Sequence, residues 1–389
     1  MKERERIYFD YNATAPLRPT AREKMAAALE LIGNPSSVHS EGRAARLALE
    51  TARAEVAALV GGRPRNVTFA ASGTEAANLA LTPQIESGGA RGPLARLIVS
   101  GGEHACVLRG HRFAPESVET APLDAKGRID LDALKAALGR AGGRAALALQ
   151  AANNETGILQ PVAEAAALVH EADGVLICDA VQLAGRGRCD FTGLGVDFLL
   201  LSAHKLGGPK GAGALVAASE ALRIADPLLR GGGQERGLRA GTENVAAIAG
   251  FGAAALAAQS EIDAEAARLA ALRDALERHV LEAAPDAVVF GAGAARLPNT
   301  LCFAVPGVGA ETLVIGLDLA GFAVSSGSAC SSGKVARSHV LTAMGVEPGL
   351  AAGAVRLSLG WASTEEEVAR FGEAFGRILA PMRRGRNAA

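Results

Sequence analysis

Short, wholly apolar segments recur along the first part of the chain, and each ends in a polar or glycine-rich turn before an alanine-rich stretch. Strands without polar alternation are expected when helices cover both faces of a sheet, as in a mainly parallel α/β sheet. Five segments predict such strands, at 67–70, 97–100, 145–151, 175–178 and 198–201. Because open α/β sheets bind ligands at the carboxyl ends of their strands, we expect a site where the polar turns meet.

The hydrophobic pattern changes after about residue 258. The run 245–258 is apolar but too short for a membrane span of about 20 residues, so it predicts a buried helix. An apolar stripe at helical spacing follows and predicts a long amphipathic helix that ends near Pro285. The stripe consists of Ile262, Leu269, Leu272, Leu276 and Val280.

Shorter strands are predicted beyond this helix, at 300–305 and 355–359. This second pattern is typical of a smaller α+β domain. We therefore expect a large domain over 14–258 and a small domain formed by 1–13 together with 259–389.

The composition excludes several classes of protein. The 389 residues include 40 basic and 41 acidic side chains, and 49% of them are hydrophobic, which argues against a disordered chain. Balanced charge and 4% aromatic residues argue against direct nucleic-acid binding. The charged start, MKERERIYFD, has no apolar core of a signal peptide. We expect a cytoplasmic protein that does not bind membranes.

The spacing of the cysteines limits the kinds of disulfide, metal and catalytic sites that the chain can form. The five cysteines include no C-x-x-C pair, which disfavours a disulfide framework or a zinc ribbon. A metal site at His104, Cys106 and His111 is also disfavoured, because no carboxylate or second cysteine pair supports it, and we expect no metal. Cys330 lies in the small, polar stretch 325–333 and is expected to be an accessible, reactive thiol, whereas the other four cysteines are expected to be bystanders.

Three of the polar turns carry candidate catalytic groups. Lys205 is one of only seven lysines and follows an apolar strand, so desolvation would lower its pKa and favour covalent chemistry at its amine. Asp179 ends another strand and could either cap a helix or hold a protonated pyridine nitrogen. His104 could stack on a cofactor ring or transfer protons.

A further turn matches a phosphate-binding geometry. Ser72 to Glu75 fit the S-x-x-E capping box after a strand, and the glycine at 73 would let an anion approach the free N–H groups of the helix. On its own this motif is a weak signal, because most helix caps of this kind are purely structural.

Taken together, these residues resemble the cysteine desulfurases, which are class V aminotransferases of the pyridoxal-phosphate fold type I. The resemblance extends from 8–14 through 33–37 to 356–360, and its most specific motifs are Ser202-Ala203-His204-Lys205, Arg239-Ala240-Gly241-Thr242 and the S-S-G-S-A-C sequence at 325–330. It implies a mainly parallel seven-stranded sheet flanked by helices, with a smaller α+β domain that carries a mobile cysteine loop at about 325–338.

The resemblance also implies roles around pyridoxal 5′-phosphate. Lys205 would bind the cofactor covalently, Asp179 would pair with its ring nitrogen, His104 would stack on the ring, and Gln182 would contact the ring hydroxyl. The residues implied for the phosphate are Gly73, Thr74, Ser202, His204 and, from the partner subunit of a homodimer, Thr242. The chain departs from the usual family pattern here, since Ser72 and Gly73 lie one position later.

For the substrate, the resemblance implies that Asn154 and Arg356 position the carboxylate of L-cysteine, for which the two-pronged guanidinium is suited. Cys330 would take the sulfur as a persulfide, leave L-alanine, and pass the sulfur to an iron–sulfur scaffold or a tRNA-thiolation acceptor. Two alternatives remain at this stage: another class V enzyme, such as a selenocysteine lyase or an aminotransferase, or a catalytically silent protein that docks sulfur-transfer partners.

Overall fold

The computed structural model describes residues 6–86, 92–327 and 337–384. The strands in these ranges are β1 (Ile7–Tyr8), β2 (Val67–Ala70), β3 (Ile85–Glu86), β4 (Arg96–Ser100), β5 (Val118–Ala121), β6 (Ala145–Gln150), β7 (Val175–Asp179), β8 (Phe198–Ser202), β9 (Gly213–Ala217), β10 (Arg223–Ile224), β11 (Val288–Val289), β12 (Thr300–Ala304), β13 (Phe322–Ala323), β14 (Ser325–Ser326) and β15 (Val355–Ser358).

The α-helices of the same ranges are α1 (Pro19–Leu29), α2 (Ser40–Leu59), α3 (Gly73–Ala80), α4 (Ala105–Leu108), α5 (Leu131–Leu138), α6 (Val162–Glu171), α7 (Phe191–Leu194), α8 (Val245–Ala283), α9 (Ala310–Leu319), α10 (His339–Ala343), α11 (Pro348–Ala352) and α12 (Glu365–Arg384). A short 3-10 helix, Ala203–Lys205, directly follows β8.

A seven-stranded sheet forms the centre of the larger part of the fold, in the order β2-β9-β8-β7-β6-β4-β5. Strands β5, β4, β6, β7 and β8 run parallel to one another, and β9 pairs antiparallel with both β8 and β2. All five strands predicted from apolar runs are present in this sheet. The prediction of a mainly parallel seven-stranded α/β sheet is confirmed.

Both faces of this sheet are buried, which explains the missing polar alternation. In β6, Leu147 and Leu149 enter one hydrophobic core, whereas Ala146 and Ala148 enter the core on the opposite face. Every residue of that strand is buried. An apolar strand of this kind has no solvent-facing side, and this places its first polar residues at the turn beyond its carboxyl end.

A four-stranded antiparallel sheet, in the order β11-β12-β15-β14, forms the second part of the fold. Its core contains Phe303, Leu357 and Phe371 together with Phe9 from the N-terminal segment. β1 pairs in parallel with β13, so the N-terminal segment runs beside this second sheet before it enters the large one. Residues 10–13 thereby cross from one part of the fold to the other.

Helix α8 connects the two parts. Two separate helices were predicted here, but the structure has a single helix of 39 residues, because no glycine or proline breaks the chain near residue 258. Its first half packs in the core of the large sheet through Phe251, and its second half packs against the small sheet through Leu276. By length and composition α8 could cross a membrane, but 56% of its apolar window is buried inside the protein, as in an ordinary core helix.

A buried ion pair fixes the segment before α8. Both guanidinium nitrogens Nη1 and Nη2 of Arg53 donate to the Glu235 carboxylate at 2.7 Å, and Phe69 N donates to the same carboxylate at 2.9 Å. The two side chains are only 3% and 1% exposed. Glu235 holds a left-handed backbone with φ 46°, so these three hydrogen bonds determine the course of the chain toward Thr242.

We predict that Glu235→Gln lowers the free energy of unfolding by about 3 kcal/mol, because it leaves the Arg53 charge buried without its main counter-ion. Denaturant unfolding of the cofactor-free protein measures the change. Glu220→Gln is the matched control, since the Arg65–Glu220 pair is 60% and 58% exposed and its loss should cost less than about 1 kcal/mol. Equal losses in the two variants would contradict the prediction.

Candidate active site

A cavity of about 380 Å³ opens at the carboxyl edge of the large sheet. Side chains from the ends of five strands line it, joined by residues 10–13 and by β14 and β15 of the small sheet. Ten residues predicted from the sequence meet here: Gly73, Thr74, His104, Asn154, Asp179, Gln182, Ser202, His204, Lys205 and Arg356.

Lys205 ends the 3-10 helix that follows β8, and this short helix turns its side chain into the cavity. Its Nζ donates to the carbonyl oxygens of Asn12 and Ala13 at 2.7 and 2.8 Å. Lys210, five residues on, is exposed. The structure therefore separates the two neighbouring lysines as the sequence predicted.

Asp179 is the last residue of β7, and its carboxylate lies deep in the cavity. Its Oδ1 accepts a hydrogen bond from Val181 N at 2.9 Å. Burial raises the pKa of Asp179, and the hydrogen bond and the nearby His104 and Lys205 oppose that rise. A buried carboxylate in this position is suited to a cationic partner.

His104 follows β4 and caps helix α4. Its Nδ1 accepts from Cys106 N at 3.2 Å and lies 3.0 Å from Cys106 Sγ. Burial lowers the pKa of His104, with Lys205 and His339 acting in the same direction and Asp179 against them. The imidazole is therefore neutral near neutral pH. Cys106, which the sequence analysis expects to be a bystander, lies on the wall of this cavity.

The turn after β2 has the geometry that the capping box predicts. Ser72 Oγ accepts from Glu75 N at 3.0 Å, and the Glu75 carboxylate accepts from Ala71 N at 3.1 Å. A Cβ added at Gly73 would lie 3.2 Å from both Ser202 Cβ and Val181 Cγ2, tighter than ordinary contacts. Glycine thus keeps open a pocket at the N-terminus of α3, where free N–H groups favour an anion.

Gln182 and His204 also line the cavity, and both have hydrogen-bond partners within the protein. The Gln182 amide donates to Asn12 O at 3.1 Å and accepts from Arg186 Nη1 at 2.6 Å. Nδ1 of His204 lies 3.2 Å from Thr14 Oγ1. Burial, followed by the charge of Lys205, lowers the pKa of His204 to about 4, so this ring is neutral. Their implied contacts with a cofactor stay predictions.

Arg356 enters the cavity from β15 and is 3% exposed. Its Nη1 donates to Asn154 O at 3.0 Å and its Nη2 donates to Asp10 Oδ1 at 2.6 Å. Its Nε is buried and has no hydrogen-bond partner. A buried guanidinium with an unused donor beside a cavity is suited to binding a carboxylate.

One predicted residue lies elsewhere, and another is not among the described residues. Thr242 lines a separate pocket with Arg239 and Glu243, and it does not reach this cavity within one subunit. Arg239 Nε donates to Glu75 at 3.0 Å, so the Thr242 segment is attached to the helix that begins at the phosphate turn. Cys330 and most of the loop predicted at about 325–338 lie outside the described residues.

Sequence reasoning assigned no role to three residues that shape the cavity. Asp10 pairs with Arg356, and Asn12 donates from Nδ2 to Asn154 O at 3.1 Å and to Thr300 Oγ1 at 2.9 Å. Both follow the two-residue strand β1, whose length carries no periodic signal. Glu155 directly follows a predicted site residue. Its only signal in the sequence is that it is a polar residue within a turn.

Glu155 is a buried carboxyl behind the substrate side of the cavity. Ser338 Oγ donates to its Oε2 at 2.5 Å, and Ser338 also caps helix α10. Burial raises the pKa of Glu155 to about 7, against the lowering effects of Ser338 and Arg356. Glu155 thus connects the turn that carries Asn154 with the first turn of α10.

The chemical groups that line the cavity fit pyridoxal phosphate. It combines a lysine amine, a buried carboxylate for a protonated ring nitrogen, and a glycine-lined helix N-terminus for a phosphate, all in one cavity. Among residues 6–86, 92–327 and 337–384, no group of three or more His, Cys, Asp or Glu side chains is arranged to hold a metal ion.

Comparison with known proteins gives one consistent family. The pattern of the family described as aminotransferase class V matches residues 7–371. A cysteine desulfurase from Cereibacter sphaeroides is 42% identical over 97% of each chain. The cysteine desulfurase IscS from Dictyoglomus turgidum is 39% identical over 97% of this chain and 95% of its own.

Solved structures agree with the sequence comparison. The NifS-like protein from Rickettsia africae matches with a TM-score of 0.87 and 34% identity, over 97% of this chain and all of its own. A structure described as SspA in complex with cysteine matches with a TM-score of 0.75 and 29% identity, over 91% of this chain and 98% of its own.

We predict that Glu155→Gln changes stability in a pH-dependent way. The folded-state pKa of Glu155 is raised from 4.5 to about 7, so the folded protein binds the extra proton, and the wild type loses stability as pH rises through that window. As the pH rises from 4.5 to 8, the free energy of unfolding of the variant should therefore increase by up to about 3 kcal/mol relative to that of the wild type.

Denaturant unfolding of the cofactor-free protein at both pH values measures this gain. Glu30→Gln, at an exposed position, is the control and should differ from wild type by the same small amount at each pH. A pH-independent difference for Glu155→Gln would show that folding does not raise the pKa of this carboxyl.

Proposed function

The chain belongs to the class V aminotransferase family and to its cysteine desulfurases, and on that premise we propose that it converts L-cysteine to L-alanine with pyridoxal 5′-phosphate. Cys330 takes the sulfur as a persulfide. One observation carries the proposal: the cavity brings Lys205, Asp179 and His104 together with a buried arginine. Lysine and aspartate suit the cofactor, and the arginine suits an amino-acid carboxylate.

Bound pyridoxal phosphate would supply an electron sink for the negative charge that develops next to the substrate carboxylate. Lys205 would hold it covalently, Asp179 would pair with its ring nitrogen, and the turn at Gly73 and Thr74 would hold its phosphate. His104, neutral because burial lowers its pKa, would stack on the cofactor ring without adding a positive charge beside it.

Arg356 binds the substrate carboxylate in this proposal. Its Nε is unused, and its Nη2 is engaged by Asp10, a carboxylate whose pKa burial raises. An incoming carboxylate would therefore compete with Asp10 for Nη2. The backbone of Asn154 holds Nη1 and so fixes the direction of the guanidinium plane.

The sulfur transfer balances without an external oxidant. L-cysteine plus the Cys330 thiol gives L-alanine plus the Cys330 persulfide. The carbon–sulfur bond of the substrate breaks, a sulfur–sulfur bond forms on Cys330, and protons from the two thiols end on alanine and the persulfide. The small, polar sequence around Cys330 supports this role, since a nucleophilic thiol must be accessible.

Partners and location follow as further proposals. The solved relative described as a complex with cysteine supports L-cysteine as the substrate. We place Thr242 at the phosphate of the second copy in a homodimer, which its distance from the cavity of its own subunit supports. The persulfide would pass to an iron–sulfur scaffold or a tRNA-thiolation acceptor protein. The protein would act in the reducing cytoplasm.

We predict that Cys330→Ala keeps the visible absorbance of the bound cofactor but abolishes sulfide release from L-cysteine in the presence of a reducing thiol. The matched control is Cys189→Ala, a buried cysteine outside the cavity, which should release sulfide at nearly the wild-type rate. Undiminished release by Cys330→Ala would refute its role. Transfer of the amino group to an α-keto acid at a comparable rate would instead indicate an aminotransferase.

We predict that Arg356→Lys raises the KM for L-cysteine about tenfold or more while cofactor absorbance is retained, because lysine cannot present the paired donors of the guanidinium. Steady-state alanine formation measures KM and kcat separately. Arg22→Lys on the exposed surface of α1 is the control. An unchanged KM would mean that Arg356 serves the fold through Asp10 and does not bind substrate.

A further inference from the structure

Cys106 is the second residue of helix α4. It lies on the cavity wall and contacts the ring of His104. Its Sγ is 3.0 Å from His104 Nδ1, and its backbone N is 3.2 Å from the same nitrogen. The thiol also hydrogen-bonds with Thr74, at the turn proposed for the phosphate. A cysteine thus joins the turn proposed for the phosphate to the histidine on the cavity wall.

The direction of the hydrogen bond follows from the backbone. Because the Cys106 N–H points at Nδ1, that nitrogen accepts and carries no proton of its own. The thiol therefore donates its hydrogen to the same lone pair. Burial, reinforced by the charges of Asp179 and Glu103, raises the pKa of Cys106, and this keeps the hydrogen on sulfur.

From this geometry we propose that Cys106 is a positioning residue: its thiol donates to His104 Nδ1 and fixes the neutral imidazole with its proton on Nε2. The thiol and the backbone N–H together hold the ring orientation. Nε2–H is then the group with which the neutral ring can donate a hydrogen bond in the cavity. The catalytic role of this contact rests on the proposed function, whereas the contact itself is independent of it.

A consequence is that the thiol helps to keep His104 neutral. A donor at Nδ1 stabilises the unprotonated ring, in addition to burial. The charged and titratable groups that face His104 are Asp179, which favours protonation, and Lys205 and His339, which oppose it. Removing the thiol hydrogen bond should therefore raise the pKa of His104.

The rival role for Cys106 is that of a second sulfur acceptor. Its raised pKa argues against that role, because the thiolate is the nucleophile and the thiol is not. Its sulfur is also occupied by two hydrogen-bond partners, His104 and Thr74. Both observations suit a residue that orients a neighbour and does not react.

The test compares Cys106→Ala, which removes the donor, with Cys106→Ser, which restores one. The readout is the pH titration of the His104 ring nitrogens by NMR in cofactor-free, histidine-labelled protein, with the signal assigned from its loss in His104→Gln. We expect the pKa of His104 to rise by about half a unit to one unit in Cys106→Ala and to stay near wild type in Cys106→Ser.

An identical His104 titration in all three proteins would overturn the proposal, and so would a protonated Nδ1 in the neutral wild-type ring. Recovery of persulfide on Cys106 after addition of L-cysteine to the holoenzyme would overturn it in favour of the rival. In the holoenzyme, the acid limb of the kcat/KM profile should move upward in Cys106→Ala. The NMR titration needs no turnover, so a failure of the desulfurase assignment and a failure of this inference are distinguishable.

Discussion

The site depends on a carboxylate and an amine that lie together in one cavity at the edge of a parallel sheet. Asp179 lies in apolar surroundings that raise its pKa, and the nearby His104 and Lys205 oppose that rise. Desolvated charges of this kind are costly unless they are matched by partners. The sheet places the partners there, since the strands that carry all three residues end at the same edge.

The remaining polar groups of the cavity are either neutral or paired. His104 and His204 have lowered pKa values, so neither adds a positive charge next to Lys205 near neutral pH. Arg356 is paired with Asp10 of the N-terminal segment, and its Nη1 donates to Asn154 O in the part of the fold built on the large sheet. These contacts bring the N-terminal segment, β15 and the turn after β6 into one proposed substrate site, although they lie far apart in sequence.

The sequence was most informative where both faces of a strand are buried. Apolar runs such as 145–151 predicted strands, and strand ends predicted the edge where Asp179 and Lys205 meet. The change of pattern at residue 258 was less informative, because the chain forms one continuous helix, α8, across that position. The first half of α8 packs against the large sheet and its second half packs against the small sheet. Asp10 and Cys106 were missed because their importance comes from contacts with Arg356 and His104, which no local pattern encodes.

The central claim is that sulfur leaves L-cysteine onto Cys330 in a cavity built by Lys205, Asp179 and Arg356. The most direct measurement is a single turnover of the holoenzyme with sulfur-labelled L-cysteine, without reductant, followed by peptide mapping of the label. We expect one labelled sulfur on the Cys330 peptide and an equal amount of L-alanine. Label on any other cysteine, or free sulfide with no labelled peptide, would contradict it.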